Sequence, residues 1–231
     1  MREIILDTET TGLDPALGHR IVEIGAVELY NHVPTGQTYH VYLNPERDMP
    51  AEAEAIHGLS AAFLRDKPIF SCIVQEFIAF LGEAVLVIHN ASFDMAFINA
   101  ELSYVGRDGI PPGRIIDTLH LARQKYPSGP NSLDALCRRY GIDLSRRTKH
   151  GALLDSELLA EVYLELIGGR QTVLSLATTK PTVAQNPTYR ATVSSPRLEM
   201  LPTRLSMEEM TAHRKLVDQL GDNCLWKRLR P

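Results

Sequence analysis

Residues 2–12, Arg-Glu-Ile-Ile-Leu-Asp-Thr-Glu-Thr-Thr-Gly, constrain the fold more than any other stretch of the 231. Ile4, Ile5 and Leu6 form the apolar run of a buried strand, and the run stops at Asp7. A strand alternates with period two, so Asp7 and Glu9 project from one face. Two carboxylates in line at the end of a buried strand repel each other unless a cation or a proton lies between them. Oxygen ligands of this type suit Mg²⁺ or Mn²⁺. The plainer alternative is a polar strand end, with Asp7 or Thr8 capping a turn.

The rest of the first 168 residues predicts an α/β domain. Two further strands are expected at Arg20–Tyr30 and Gln37–Leu43, joined by a hairpin connection at Asn31–Gly36. A short helical turn follows at Pro50–Ile56, then a brief helix capped by Ser60. Phe70–Leu81 has a helical apolar stripe ended by Gly82. Ala84–Ile88 is wholly apolar, as a central strand should be. Helices are predicted over Phe93–Tyr104 (Ser92 as cap), Asp117–Lys125, Ser132–Tyr140 and Gly151–Ile167, with a short strand at Arg114–Ile116. Strands first and strand–helix units later give an α/β fold, a mixed five-stranded sheet flanked by helices. The expected organisation is a domain over 1–168, a linker over 169–197 and a C-terminal tail over 198–231.

Charge divides the chain at the same place. Residues 1–168 hold 14 Lys and Arg against 23 Asp and Glu, a balance of −9; residues 169–231 hold 10 against 5, a balance of +5. The body is therefore not a broadly basic nucleic-acid binder, and phosphate would have to be handled locally through metal ions. Three scattered cysteines without a C-x-x-C pair fit neither a disulfide framework nor a zinc knuckle, and they suit a reducing cytoplasm. Neither a signal peptide nor an apolar run long enough to span a membrane is apparent. Ser206–Glu209 has a capping-box pattern, and a helix ending at Gly221 should follow. Leu216, Leu220, Leu225 and Trp226, the only Trp, read either as a docking surface for a partner or as a helix packed back on the domain.

Asp94, early in the helix after the apolar strand, and Asp155, five residues after His150, would each alone be ordinary surface or capping carboxylates. Together, Asp7-Thr-Glu9-Thr-Thr-Gly-Leu, His89-Asn-Ala-Ser-Phe-Asp94 and His150-Gly-Ala-Leu-Leu-Asp155 resemble the three motifs of the 3′→5′ exonucleases with four acidic residues and a histidine. Ile56-His-Gly-Leu, Ala160-Glu-Val-Tyr-Leu and Cys224-Leu-Trp bring the resemblance closer to the proofreading branch that serves bacterial DNA polymerase III. It covers the catalytic domain and reappears in the tail.

The resemblance implies a ribonuclease H-like fold, two divalent cations (Mg²⁺ or Mn²⁺) held by Asp7, Glu9, Asp94 and Asp155, and His150 as general base. It places Thr8, Thr10 and Gly12 along the path of the terminal nucleotide, with backbone N–H groups facing phosphate. It makes His57 and Phe93 candidates for stacking on terminal bases, loop and core packing being the alternatives. His89 would orient a ligand or cap its helix. Arg146-Arg-Thr-Lys149 reads as an exposed basic loop from which His150 can move. Gln171-Thr-Val-Leu174-Ser-Leu176 is similar to peptides that dock on bacterial sliding clamps; the frayed end of a helix is the alternative. The implied partners are a DNA 3′ primer terminus, the alpha subunit of polymerase III, the beta clamp and a small theta-like accessory subunit. An RNA 3′-exonuclease of the ribonuclease T type and a non-catalytic replisome adaptor are the rival readings.

Overall fold

The computed structural model describes residues 1–145, 147, 149–168 and 206–221. Gln171, Leu174, Leu176, Leu225 and Trp226 lie outside them, as do the expected linker and most of the tail. Two units, 1–176 and 177–231, divide the chain. No helix among the described residues is long and apolar enough to cross a membrane.

The first unit is built on a five-stranded sheet: β1 (Arg2–Thr10), β2 (Ile21–Tyr30), β3 (Val33–Tyr42), β4 (Val85–Ile88) and β5 (Ile115–Asp117), in the order β3-β2-β1-β4-β5. β1 pairs antiparallel with β2 and parallel with β4, so the sheet is mixed. Helices α1 (Ala51–His57), α2 (Ala61–Leu64), α3 (Phe70–Leu81), α4 (Ala91–Tyr104), α5 (Thr118–Lys125), α6 (Leu133–Tyr140) and α7 (Ala152–Leu166) complete the unit.

β1 is central and covered on both faces, which is why its apolar run does not alternate. Its even-numbered residues Ile4 and Leu6 join Phe77 of α3 and Phe97 and Ile98 of α4 in one buried cluster. Ile5 faces the opposite way, toward Leu159, Ala160 and Tyr163 of α7. α5, α6 and α7 share a third cluster around Leu136, Cys137 and Val162.

Four local details depart from the sequence-based expectations. β1 does not stop at Asp7: β2 carries the antiparallel pairing from Asp7 opposite Gly25 to Thr10 opposite Ile21, so the polar residues stay extended. The β2–β3 connection is a two-residue turn, with Asn31 and His32 both at positive φ (49° and 66°). That twist suits a tight hairpin, so β3 starts at Val33 instead of Gln37. α4 begins at Ala91 after Asn90, which is left-handed (φ 64°), and Ser92 lies inside the helix. Arg114 precedes β5; its guanidinium donates to the carbonyls of Gly82 and Ala84, anchoring the entrance to β4.

In the second unit α8 (Met207–Gln219) carries the expected capping box between Ser206 and Glu209. Leu216 and Leu220 are exposed.

Candidate active site

β1 pairs with β4 only over Glu3–Ile5, so its far half projects past the end of β4. On that overhang, a cavity of about 720 Å³ is lined by Asp7, Glu9, His89, Phe93, Asp94, Arg123, Arg147, His150 and Asp155, among others. The four carboxylates and the histidine named by the sequence motifs thus meet at one place.

Each arrives by a separate device. Asp7 and Glu9 share a face of β1, the one turned toward α7. Asp94, in the first turn of α4, accepts from the backbone N–H and hydroxyl of Thr8 at Oδ1 (3.0 and 2.7 Å). Asp155 sits in the first turn of α7, whose position over β2 depends on Gly25. A Cβ at Gly25 would lie 2.1 Å from the Leu153 nitrogen and 2.2 Å from the Ala152 carbonyl carbon. The neighbouring Ser156 hydroxyl donates to the Gly25 carbonyl (2.8 Å). Backbone rests on backbone here, opposite Asp7 in the β1–β2 register. His150 donates its N–H to the Ile56 carbonyl of α1 (3.4 Å), and its imidazole is about half exposed.

The cluster is electrostatically costly. Burial pushes the Asp7 carboxyl far up, and Asp94, Glu9 and Asp155 push it further. Glu9 is raised from 4.5 to about 8, first by burial and then by Asp155, Glu23 and Asp94. Burial also raises Asp94, against the lowering effect of its Thr8 hydrogen bonds. Ligand atoms of Glu9, His150 and Asp155 lie within 4.8 Å of one another. Oxygen donors crowded to the point of holding protons are a fitting set for a hard divalent cation.

A pH dependence follows. Between about 4.5 and 8 the folded protein keeps a proton on Glu9 that the unfolded chain has lost. Stability is therefore fullest below the lower value and is lost as pH rises through the upper one. In EDTA the melting temperature should fall by on the order of 5 °C between pH 5 and pH 8. Mn²⁺ should remove most of that fall, since it binds the ionised carboxylates. Scanning calorimetry at both pH values, with and without the ion, checks this; a flat profile in EDTA would contradict it.

Arg147 is the main residue that sequence reasoning missed. Far from lying exposed, its side chain is 8% accessible. It bridges both Asp155 oxygens, pairs with Asp134, and places Nη2 2.7 Å from His150 Nδ1. It partly offsets the carboxylate repulsion, lowering Asp7 and Glu9. Glu23, opposite Glu9 on β2, is buried and held by His40 Nε2 at 2.7 Å. The Arg147–His150 spacing of three was the available signal; nothing local distinguished Glu23 from an outward strand residue.

A second cavity of about 540 Å³ shares Thr8, Glu9, Leu13 and Phe93 with the first. Thr10, Gly12, Leu17, Ile56 and His57 also line it. The Thr8 N–H is already given to Asp94, so it does not face phosphate as expected. Thr10 hydroxyl donates to the Gly12 carbonyl (2.7 Å). Gly12 has the His19 ring where a Cβ would be. His57 is 6% exposed, with Nδ1 accepting from the Leu59 N–H, so it is a wall of the cavity and not an open platform. Phe93 packs on Phe97 and lines both cavities. His89 is paired with the Thr118 hydroxyl (3.0 Å) at the start of α5, and burial lowers its pKa.

The family described as Exonuclease matches residues 4–163. A Rickettsia typhi protein named DNA polymerase III subunit epsilon is 48% identical, the match covering 95% of this chain and 97% of that one. The chain belongs to the DNA polymerase III epsilon family. Its Escherichia coli K12 counterpart of the same name is 44% identical over 98% of this chain and 97% of its own. Among solved structures, Exonuclease X in complex with 5′ overhanging duplex DNA superposes with a TM-score of 0.58 at 27% identity, covering 71% of this chain and 90% of that chain. The nuclease domain of 3′hExo, described as a DEDDh family member bound to rAMP, gives 0.62 at 19% identity, covering 72% and 91%, and supports the fold alone. Epsilon-family proteins are metal-dependent 3′→5′ exonucleases, and the activity of this chain is of that class.

Proposed function

We propose that this chain removes mispaired nucleotides from the 3′ end of a DNA primer, within the replicative polymerase, and releases 5′-mononucleotides. The observation that supports this best is the convergence of Asp7, Glu9, Asp94, Asp155 and His150 on one cavity that adjoins a more apolar one. The relatives' shared name, DNA polymerase III subunit epsilon, supports the setting.

Asp7, Glu9, Asp94 and Asp155 would hold two divalent ions, Mg²⁺ or Mn²⁺. Such ions, when bound, activate water and take up the charge that develops on a leaving oxygen. The chain's own residues do the rest. The apolar cavity takes the terminal nucleoside and sets its phosphate against the carboxylates. His150 accepts the proton of the attacking water once its half-exposed ring turns away from Arg147, whose Nη2–H donates to Nδ1 (2.7 Å) here. Water adds to phosphorus, the bond to the penultimate 3′-oxygen breaks, and that oxygen regains a proton. A mispaired end frays more readily, and only a splayed single strand reaches the site.

Partner contacts belong to the same reading. Gln171, Leu174 and Leu176 would engage the sliding clamp. Leu216, Leu220, Leu225 and Trp226 would engage the alpha subunit, and the exposure of Leu216 and Leu220 on α8 supports this. A theta-like accessory subunit would complete the set.

A 5′-labelled primer–template with a 3′ mismatch tests the activity, run in Mg²⁺ beside its matched duplex and an RNA strand. Faster loss of mononucleotides from the mismatched DNA end is expected. Faster cutting of RNA would transfer the assignment to an RNA exonuclease, and no cleavage of any strand would leave an adaptor.

A further inference from the structure

Two arginines line the carboxylate cavity, and they are in different situations. Arg147 is committed to Asp155, Asp134 and His150. Arg123, in the last turn of α5, is exposed and makes no hydrogen bond or ion pair among the described residues. Its neighbours are occupied: Lys125 donates to the Glu165 carbonyl, and Arg139 to the Pro130 carbonyl while covering the Tyr126 ring. The same cavity is lined by Gly129 and by the polar, uncharged side chains of Asn90, Asn131 and Ser132.

The adjoining cavity has another character: it presents Leu13, Leu17 and Ile56, all exposed apolar side chains. A polynucleotide needs both kinds of surface, one for its terminal nucleoside and one for the phosphates of the strand behind it. The domain is acidic overall, so an unpaired guanidinium facing the cavity has a large influence on where an anionic strand settles. Arginine also offers a phosphodiester two parallel N–H donors.

We infer that Arg123 is a substrate-positioning residue that binds a phosphate on the 5′ side of the scissile bond and directs the strand out along the α5 wall. This rests on the cavity being the site of strand cleavage.

The test compares wild type, Arg123→Gln and Arg123→Lys on two substrates. One is the p-nitrophenyl ester of thymidine 5′-monophosphate, which has no upstream phosphate. The other is a single-stranded DNA oligonucleotide, assayed over a range of salt. For Arg123→Gln the ester should be hydrolysed as by wild type. The oligonucleotide KM should rise roughly tenfold with kcat nearly unchanged. The slope of log(kcat/KM) against log salt should lessen by about 0.7, one phosphate contact on a single strand. Arg123→Lys should restore that slope. An unchanged oligonucleotide KM and salt slope would overturn the inference while leaving the activity in place. Equal losses on ester and oligonucleotide would overturn it too, by placing Arg123 at the reacting phosphate or in the fold. If wild type cut neither substrate, the cleavage reading itself would fall, and this inference with it.

Discussion

Asp7→Asn should lower kcat on single-stranded DNA by on the order of 10⁴-fold, a loss of the size seen when an enzyme loses one member of a concerted site. It should also make the metal-free protein more stable. Asp7 is at the centre of the repulsion: burial, Asp94, Glu9 and Asp155 all act against its charge. An amide has the same shape and no charge, so it removes the cost of holding a carboxylate there. At pH 8 in EDTA the variant should melt a few degrees above wild type, and added Mn²⁺ should stabilise it much less. The paired outcome is the informative one. A variant that lost activity and stability together would point to Asp7 as a packing residue.

Gly25→Ala should be the most damaging substitution away from the carboxylates. The new methyl group would meet backbone atoms of Ala152 and Leu153 at 2.1 to 2.4 Å, and backbone at a helix start cannot turn aside as a side chain would. α7 must lift from β2, stretching the Ser156–Gly25 bond. A cost of about 3 kcal/mol, the upper part of the overpacking range, is expected. That corresponds to a melting temperature roughly 10 °C lower. The lifted helix carries Asp155 away from Asp7, and a displacement of about 1 Å is enough to cost roughly 100-fold in rate. Gly113→Ala is the control, since no atom lies within 4 Å of its Cβ and its φ is not positive. Circular dichroism melts and initial rates on the same preparations separate the two effects.

The residues proposed as catalytic were legible because they stand in local motifs whose elements are also local. An apolar strand running into Asp7 and Glu9, and a helix opening shortly before Asp94, can each be read within ten residues. Arg147 could not be read that way. Its burial follows from a surplus of negative charge assembled from β1, α4 and α7, a property of the assembled site and not of the loop. Gly25 was legible in principle, since a glycine inside a strand marks close backbone approach, but its apolar neighbours hid it. The Asn31–His32 turn lacks the glycine that usually announces a two-residue hairpin, and the connection was read as longer for that reason. Asp7 was taken for a strand end because its polarity was read without its partner strand, whereas β2 holds it extended.

The most direct test of the central claim is a calorimetric titration of Mn²⁺ into the full chain at pH 8, repeated with Asp7→Asn and Asp155→Asn. If the four carboxylates form a two-ion nuclease centre, wild type should bind two ions and release protons as it does so. Each variant should lose at least one ion. Wild-type binding of no ion, or variants that bind as wild type does, would contradict the assignment of this cavity as the catalytic centre.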